Sequence, residues 1–266
     1  MTFNQQEQLP WIIKVGNSPL VATAIHSGHA VRDELKPFLA LSTSERLREE
    51  DPFTDGWTRI APTQIIGKRS RFEVDLNRSP DKAVYLKPED AWGLQVWNQK
   101  LPEEVVHRSQ ELHTQFYKDV TKVFKQLERT HGKFIVFDLH SYNHRREGPE
   151  GPTADPEKNP EVNIGTGSLD RGRWGSLVDR FINDLRAFEV LGRSFDVREN
   201  VKFQGGYFPK WIHQEFPDTG CALAIEFKKV FMDEWTGEAK QQHLQAIKEA
   251  LASTVPGILE SLKTVE

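Results

Sequence analysis

The stretch "KFIVFDLHSY", residues 133–142, decides which fold the sequence predicts. β-Branched and aromatic residues dominate it, which is typical of a buried strand. Between Pro102 and about Arg129, apolar residues recur every three or four positions, which predicts a long amphipathic helix that Gly132 ends. A helix that leads through a glycine into a buried strand favours a parallel sheet covered by helices.

Other segments extend this pattern in both directions. Strands are predicted in "WIIKV", "LVATAIH", "TQIIG", "RFEVDLN", "EVNIGTG" and "CALAIEFKK". Helices are predicted from about His29 to Leu39, in "TSERLREE" before Pro52, in "RWGSLVDRFINDLRAFEVL" and at the C-terminus. The order of these elements predicts an α/β fold with three layers, α/β/α, in a single domain that spans residues 1–266.

Composition limits the classes of partner. With 266 residues and 37% hydrophobic content, the chain is long enough for one substantial core. A net charge of -4 argues against general nucleic-acid binding, and no apolar run is long enough to cross a membrane, so we expect a small-molecule partner. The single Cys221 excludes an internal disulfide, and no secretory signal is visible, so a cytoplasmic location is expected.

Polar residues interrupt the predicted buried strands at a few places. His26 follows the apolar run "ATAI", His140 lies in "FDLHSY", and Glu226 lies in "ALAIEF". Ligand sites in open α/β sheets form at the carboxyl ends of the parallel strands. We therefore expect His26, His140 and the segment that ends at Arg78 to converge.

Two imidazoles and a carboxylate suit Zn²⁺ with a position left open for water, which points to hydrolysis. Glu226 would then serve as the general base. Arg78 offers a planar fork of donors for a substrate carboxylate, and Asn77 offers a neutral donor beside it. Taken singly, each residue also has a structural explanation, and no compact His-Glu-x-x-His pattern occurs.

Six segments together resemble the N-formylglutamate amidohydrolase family. They are "AIHSG" (24–28), "DPFTD" (51–55), "SRFEVDLNR" (70–78), "DLHSY" (138–142), "FQGGYFPKW" (203–211) and "LAIEFKKVFMDE" (223–234). The pair "DLNR" and "DLH" is also similar to zinc acyl-amino-acid hydrolases of the aspartoacylase type. The resemblance implies a zinc carboxypeptidase-like fold with a mixed, mostly parallel sheet of eight strands, and one zinc ion.

The resemblance also implies roles for individual residues. His26 and His140 match the metal-binding histidines of the family, and Glu226 matches its catalytic glutamate. Asn77 and Arg78 match its carboxylate-binding pair.

The third metal ligand departs from the carboxypeptidase pattern. Zinc carboxypeptidases place an acid three residues after the first histidine, where this chain has His29. The "DPFTD" stretch makes Asp51 the preferred ligand instead. Asp55, Glu50 and His29 remain alternatives.

Substrate recognition also departs from the family. Where its members carry Thr-Arg after "GGYx", this chain has Pro209 and Lys210. Lysine lacks the bidentate fork, so recognition of a second carboxylate is expected to differ, and the substrate need not be N-formylglutamate. Arg71 and Lys210 are expected near the site, where either would stabilise an oxyanion or a second carboxylate.

These residues predict a zinc-dependent amidohydrolase that cleaves the amide bond of an N-acyl amino acid such as N-formylglutamate. One alternative is a carboxypeptidase or a peptidoglycan-type amidase that acts on peptides. The other is a protein that binds amino-acid derivatives without catalysis.

Overall fold

A computed structural model describes residues 10–265. The strands are Trp11–Lys14 (β1), Leu20–Ala24 (β2), Thr63–Gly67 (β3), Phe134–Tyr142 (β4), Val162–Gly165 (β5), Glu189–Val190 (β6), Arg193–Ser194 (β7), Val197–Glu199 (β8) and Gly220–Lys228 (β9). The α-helices are Thr43–Glu49 (α1), Thr54–Trp57 (α2), Glu103–His131 (α3), Arg171–Ala187 (α4), Tyr207–Glu215 (α5) and Gln241–Thr264 (α6).

The central sheet is mixed and mostly parallel, as predicted. Its strand order is β1-β3-β2-β4-β9-β5-β8, and β6 and β7 form a separate ribbon. β2 runs parallel to β3 and β4, and β4 runs parallel to β9. β1 is antiparallel to β3, and β5 is antiparallel to β9. Within residues 10–265 the sheet has seven strands rather than the eight that the family resemblance implies.

Helices cover both faces of the sheet, which confirms the three-layer prediction. α4 and α6 pack on one face through residues such as Phe181 and Leu251, against Phe137 of β4. α3 and α5 pack on the other face through residues such as Phe124, against Phe134 of β4. Cys221 is fully buried in the first of these cores.

The strongest sequence signals predict their elements well. α3 covers the predicted helix, and Gly132 follows it with a φ of 76°, a conformation that glycine adopts without a Cβ clash. α1 begins with a capping box in which the Ser42 and Glu45 side chains bond each other's backbone N–H. No helix within residues 10–265 combines the length and the apolar character needed to cross a membrane.

The segment "RFEVDLN" is not a strand, contrary to the prediction. Its backbone forms turns, in which Glu73 N–H donates to Ser70 O (2.9 Å) and Asp75 N–H donates to Ala83 O (2.7 Å). The alternation of apolar and charged residues is misleading because Glu73 and Asp75 are as buried as Phe72. Glu73 is buried because it accepts from the backbone N–H of Arg32 and pairs with that residue's guanidinium.

The helix predicted from His29 to Leu39 is also wrong. This segment contains only a short 3₁₀ turn, Lys36–Phe38, with Pro37 inside it. A proline within this segment removes a backbone donor and disfavours a continuous helix. Ala30 instead forms an isolated parallel bridge with Arg69.

Candidate metal centre and active site

The carboxyl ends of three neighbouring parallel strands bring the first predicted residues together. His140 near the end of β4 lies directly opposite Glu226 of β9 in the strand register. His26 lies two residues beyond the end of β2, which pairs with β4. Asp51 arrives from the segment between α1 and α2, where its backbone N–H donates to His26 O (3.0 Å).

His26, Asp51 and His140 form a compact, buried group of possible metal ligands. One ligand atom from each residue lies within 4.8 Å of the other two. Asp51 Oδ2 lies 2.9 Å from His140 Nδ1 and 3.6 Å from His26 Nδ1. Two imidazoles and one carboxylate at this separation fit a Zn²⁺ ion.

Second carboxylates fix the orientation of both imidazole rings. His26 Nε2 lies 2.7 Å from Asp75 Oδ1, and His140 Nε2 lies 2.9 Å from Asp138 Oδ2. Thr23 Oγ1 donates to Asp138 Oδ1 at 2.7 Å. A carboxylate on Nε2 holds the proton there and leaves Nδ1 available to bind a metal, which is the usual arrangement around histidine ligands.

Opposing influences set the pKa values of this group. Burial raises the pKa of Asp51, but hydrogen bonds and charge from His140 and His26 outweigh it and hold the pKa below its ordinary value. Burial lowers the pKa of His140, but Asp138 and Asp51 outweigh it and raise the pKa well above the ordinary value. A metal must displace the proton from this histidine, so we expect metal affinity to increase with pH.

Glu226 borders the same cavity and has an unusual proton affinity. Burial raises its pKa to about 7, and the charges of Asp51 and Asp138 add to this effect against His140 and His26. A carboxyl group with a pKa near 7 can both take up and release a proton at neutral pH, as a general base and acid must.

The alternative metal ligands lie elsewhere. Glu50 contacts His29 Nδ1 through one carboxylate oxygen and accepts from Ser70 Oγ through the other. His29 and Glu50 therefore satisfy each other. Asp55 is exposed on α2. Of the four candidates for the third ligand, Asp51 is the one whose carboxylate lies between the two histidines, within reach of both Nδ1 atoms.

The cavity over this group has a volume of about 360 Å³. Three acidic side chains, Glu49, Asp51 and Glu226, line it, together with five cationic ones: Arg71, Arg78, Arg146, Lys202 and Lys229. An excess of positive charge in a cleft attracts anionic ligands.

The family model of N-formylglutamate amidohydrolase matches residues 18–232. The chain belongs to the N-formylglutamate amidohydrolase family. Members of this family are hydrolases that act on amide bonds, so the amidohydrolase class that the resemblance implies is confirmed.

Solved structures agree on the fold. An N-formylglutamate amidohydrolase from Ralstonia eutropha aligns with a TM-score of 0.74 and 18% identity, over 96% of this chain and 98% of that one. A gene product from Agrobacterium tumefaciens aligns with a TM-score of 0.69 and 18% identity, over 97% and 98% of the two chains. A metallo-carboxypeptidase from Burkholderia cenocepacia aligns more weakly, with a TM-score of 0.41 and 13% identity over 91% of this chain and 56% of that one. No curated protein gives a significant match.

Arg78, one of the expected substrate-binding residues, lines the cavity. Its Nη2 donates to Asp90 O at 3.2 Å, and its guanidinium lies 5.5 Å from the centroid of the Tyr85 ring. Arg78 makes no ion pair in the part of the chain that the structure describes. A half-buried guanidinium without a carboxylate partner is suited to an anionic ligand.

Asn77 lines the cavity and also supports α5. Its Oδ1 accepts from the backbone N–H of Phe208 at 2.9 Å, in the first turn of that helix. A Cβ on Gly206 would lie 2.3 Å from Asn77 Oδ1, so the "GGY" glycine allows the two segments to approach this closely.

Arg71 lines the cavity but is held by other protein groups. Its Nη2 donates to Asp75 Oδ2 (2.9 Å), its Nε to the Tyr85 hydroxyl (3.2 Å) and its Nη1 to Glu49 O (3.4 Å). Because Asp75 also contacts His26, Arg71 stabilises the carboxylate that orients this candidate metal ligand. The carboxylate of Asp75 therefore links Arg71 to His26.

Lys210 does not lie at the cavity, contrary to the prediction from the sequence. It is exposed on α5 and does not line the cavity, because Phe208 and Ile212 of this helix face the core instead. We therefore remove Lys210 from the substrate-binding set. Lys202, eight residues earlier, is the lysine from this region that borders the cavity.

Sequence reasoning assigns no role to several residues in or beside the cavity. Asp138 could have been assigned one, because it lies two residues before His140 and so projects from the same face of β4. Arg146 lies in a long loop, Trp92 follows a 3₁₀ turn, and Lys229 follows β9 without any distinguishing local pattern. Only tertiary contacts bring these three to the cavity.

Proposed function

We propose that this chain is a zinc-dependent amidohydrolase that cleaves the amide bond of an N-acyl amino acid of the N-formylglutamate type. One observation carries the proposal: a single cavity joins the His26–Asp51–His140 group, Glu226 with a pKa of about 7, and the unpaired Arg78. The family match supports the reaction class. We also propose that residues 1–266 form one catalytic domain that works in the cytoplasm.

His26, Asp51 and His140 would hold the zinc ion through two Nδ1 atoms and a carboxylate oxygen. When bound there, zinc supplies Lewis acidity for water and for the amide carbonyl. Glu226 accepts the proton that the attacking water loses and delivers it to the departing nitrogen. The water oxygen becomes bonded to the acyl carbon, the C–N bond breaks, and a carboxylic acid and a free amino acid leave.

Arg78 would hold the α-carboxylate of the substrate with two parallel hydrogen bonds, with Asn77 beside it. Arg71 would add positive charge for the oxygen that becomes negative during attack. Lys202 favours a substrate that carries a second carboxylate, because it adds a further cation to the cavity lining, and Arg146 adds another that it shares with Glu49 at 3.4 Å. In this proposal Lys202 binds the second carboxylate, the role that the sequence had predicted for Lys210.

A hydrolysis screen tests the proposal. Zinc-loaded protein is offered N-formyl, N-acetyl and N-succinyl derivatives of glutamate, aspartate and neutral amino acids, and the release of free amino acid is measured. We expect the acidic derivatives to be the best substrates. Glu226→Gln is expected to retain zinc and to lose turnover by about 100-fold or more, since general acid–base catalysis contributes this much.

Two results would reject the mechanism. One is full turnover in Glu226→Gln. The other is an absence of zinc, by elemental analysis, in wild-type protein that has been incubated with zinc and desalted. His140→Ala, which removes one of the three ligands, is the matched control for metal content.

The other functions predict different behaviour. A carboxypeptidase or peptidoglycan-type amidase would prefer peptides over N-acyl amino acids in the same screen. A non-catalytic binder would show saturable binding of the derivatives without product. A cavity of about 360 Å³ lined by five cationic side chains favours a small acid over a peptide.

A further inference from the structure

Trp92 lines the cavity, and core packing does not explain its conformation. It is 51% exposed, whereas most large aromatic residues of the described chain are buried. It also adopts a φ of 55°, in the left-handed region that disfavours a bulky side chain. An exposed indole in a disfavoured backbone conformation beside an active site is a combination often associated with function.

The backbone around Trp92 holds this conformation firmly. Pro88–Ala91 forms a 3₁₀ turn, and the N–H groups of Trp92 and Gly93 both donate to Pro88 O. Leu94 N–H donates to Ala91 O at 2.9 Å. The indole is therefore presented at the cavity by a hydrogen-bonded turn rather than by a loose loop.

The indole contacts Arg71 and Tyr85, which bond the carboxylate that orients His26. The Arg71 guanidinium lies 4.8 Å from the centroid of the Trp92 ring, and the Tyr85 ring lies 6.0 Å away. Arg71 in turn bonds Asp75, which orients His26. Trp92 thus lies only a few contacts from the candidate site while half of its own surface remains free.

We propose that Trp92 is a specificity-determining residue that packs on the apolar part of the substrate, the acyl group or the side-chain methylenes of an N-acyl amino acid. This inference rests on the proposed function. The cationic residues of the cavity suit carboxylates, whereas the hydrocarbon part of a substrate needs an apolar surface. Trp92 is the most exposed of the aromatic residues that line the cavity with Tyr142 and Phe203. An aromatic ring supplies that contact at a low cost in side-chain entropy.

Leu191 provides a matched control. It is also a large apolar residue, 55% exposed, with a φ of 51°, and it lies in the turn between β6 and β7, away from the cavity. Glycine at either position removes the exposed side chain and relieves the same backbone strain. The two variants therefore share the loss of an exposed apolar side chain and the relief of backbone strain, whereas only Trp92→Gly removes contacts at the cavity, including that with Arg71.

The experiment compares Trp92→Gly, Leu191→Gly and Trp92→Phe with wild type, using the best substrate from the hydrolysis screen. We expect Trp92→Gly to raise KM by about 3- to 10-fold, the equivalent of one aromatic contact, with kcat and zinc content preserved. Leu191→Gly is expected to leave KM and kcat unchanged. Trp92→Phe keeps an aromatic ring and should restore most of the lost affinity.

The outcomes separate the possible failures. An unchanged KM in Trp92→Gly overturns the inference while leaving the proposed function intact. A fall in kcat or in zinc content, with KM unchanged, would show that Trp92 only positions Arg71, which also overturns it. If wild-type protein hydrolyses and binds none of the N-acyl amino acids, the proposed function fails and this inference fails with it.

Discussion

Glu226 is the residue whose environment differs most from that of an ordinary glutamate. In the folded protein its pKa is about 7, compared with the reference value of 4.5, because burial and two neighbouring carboxylates oppose its negative charge. Folding therefore favours its protonated form. The stabilising contribution is fully present below the unfolded pKa and is lost as the pH rises through the folded pKa.

Glu226→Gln should therefore stabilise the zinc-free protein in a pH-dependent way. Glutamine is neutral at every pH, so the variant should match wild type at about pH 4, below the unfolded pKa, and exceed it at about pH 8. The shift in pKa corresponds to a gain of roughly 2 kcal/mol in the free energy of unfolding, after allowance for solvent screening. Urea unfolding in the presence of a chelator at both pH values measures it. An equal difference at both values would contradict the assigned pKa.

The segment that carries Asp51 must be held in place by tertiary contacts. A ligand three residues after His26 would be fixed by local structure, but Asp51 lies 25 residues further along the chain. Lys229, which is 1% exposed, donates from Nζ to Arg48 O and Glu50 O, both at 2.6 Å. It thereby caps the C-terminal end of α1 immediately before Asp51, and it links that loop to β9, the strand of Glu226.

Lys229→Met should weaken zinc binding. Methionine keeps the apolar stem but leaves the two carbonyls without their donor, so the Asp51 loop loosens. Residues that position a metal ligand typically contribute about 10- to 100-fold in metal affinity, and we expect a loss at the lower end of this range. Competition with a chromophoric chelator measures the affinity.

Lys133→Met is the matched control for this change. Lys133 Nζ donates to Val265 O at 2.7 Å, so it also caps a helix C-terminus, that of α6, but far from the metal group. It should leave zinc affinity unchanged. Equal zinc affinity in Lys229→Met and wild type would exclude the positioning role.

At the level of elements, the sequence predicts well where the physical signal is local. The apolar period of α3, its terminal Gly132 and the continuous apolar runs of β4 and β9 are all in the chain itself. The segment "RFEVDLN", residues 71–77, is predicted wrongly because its acidic residues are buried by partners distant in sequence. Arg32 neutralises Glu73, and Arg71, Tyr85 and His26 surround Asp75. Alternation cannot distinguish a solvated charge from one that is buried and paired.

On the scale of the whole molecule, topology explains which parts of the site the sequence can predict. His26, His140 and Glu226 are predictable because each lies at or near the carboxyl end of a strand, and neighbouring parallel strands bring such ends together. The choice of Asp51 depended on a family resemblance rather than on spacing. Lys210 was misplaced because the side of a short helix that faces the cavity is set by packing, and Phe208 and Ile212 take the inward side of α5.

The candidate metal ligands His26, Asp51 and His140 come from three segments that are far apart in the chain, so bound zinc should stabilise the entire fold. A ligand at about 100 times its Kd adds about 2.7 kcal/mol to the free energy of unfolding, which for a chain of this size corresponds to roughly 5–10 °C in the melting temperature. Calorimetry with zinc or with a chelator measures this shift.

Asp51→Ala should abolish most of the shift in melting temperature. Asp55→Ala removes an exposed acid from the same "DPFTD" stretch and should retain it in full. If Asp55→Ala loses the shift and Asp51→Ala keeps it, the assignment of the carboxylate ligand is wrong, and an equal shift in both variants would place the zinc outside this stretch.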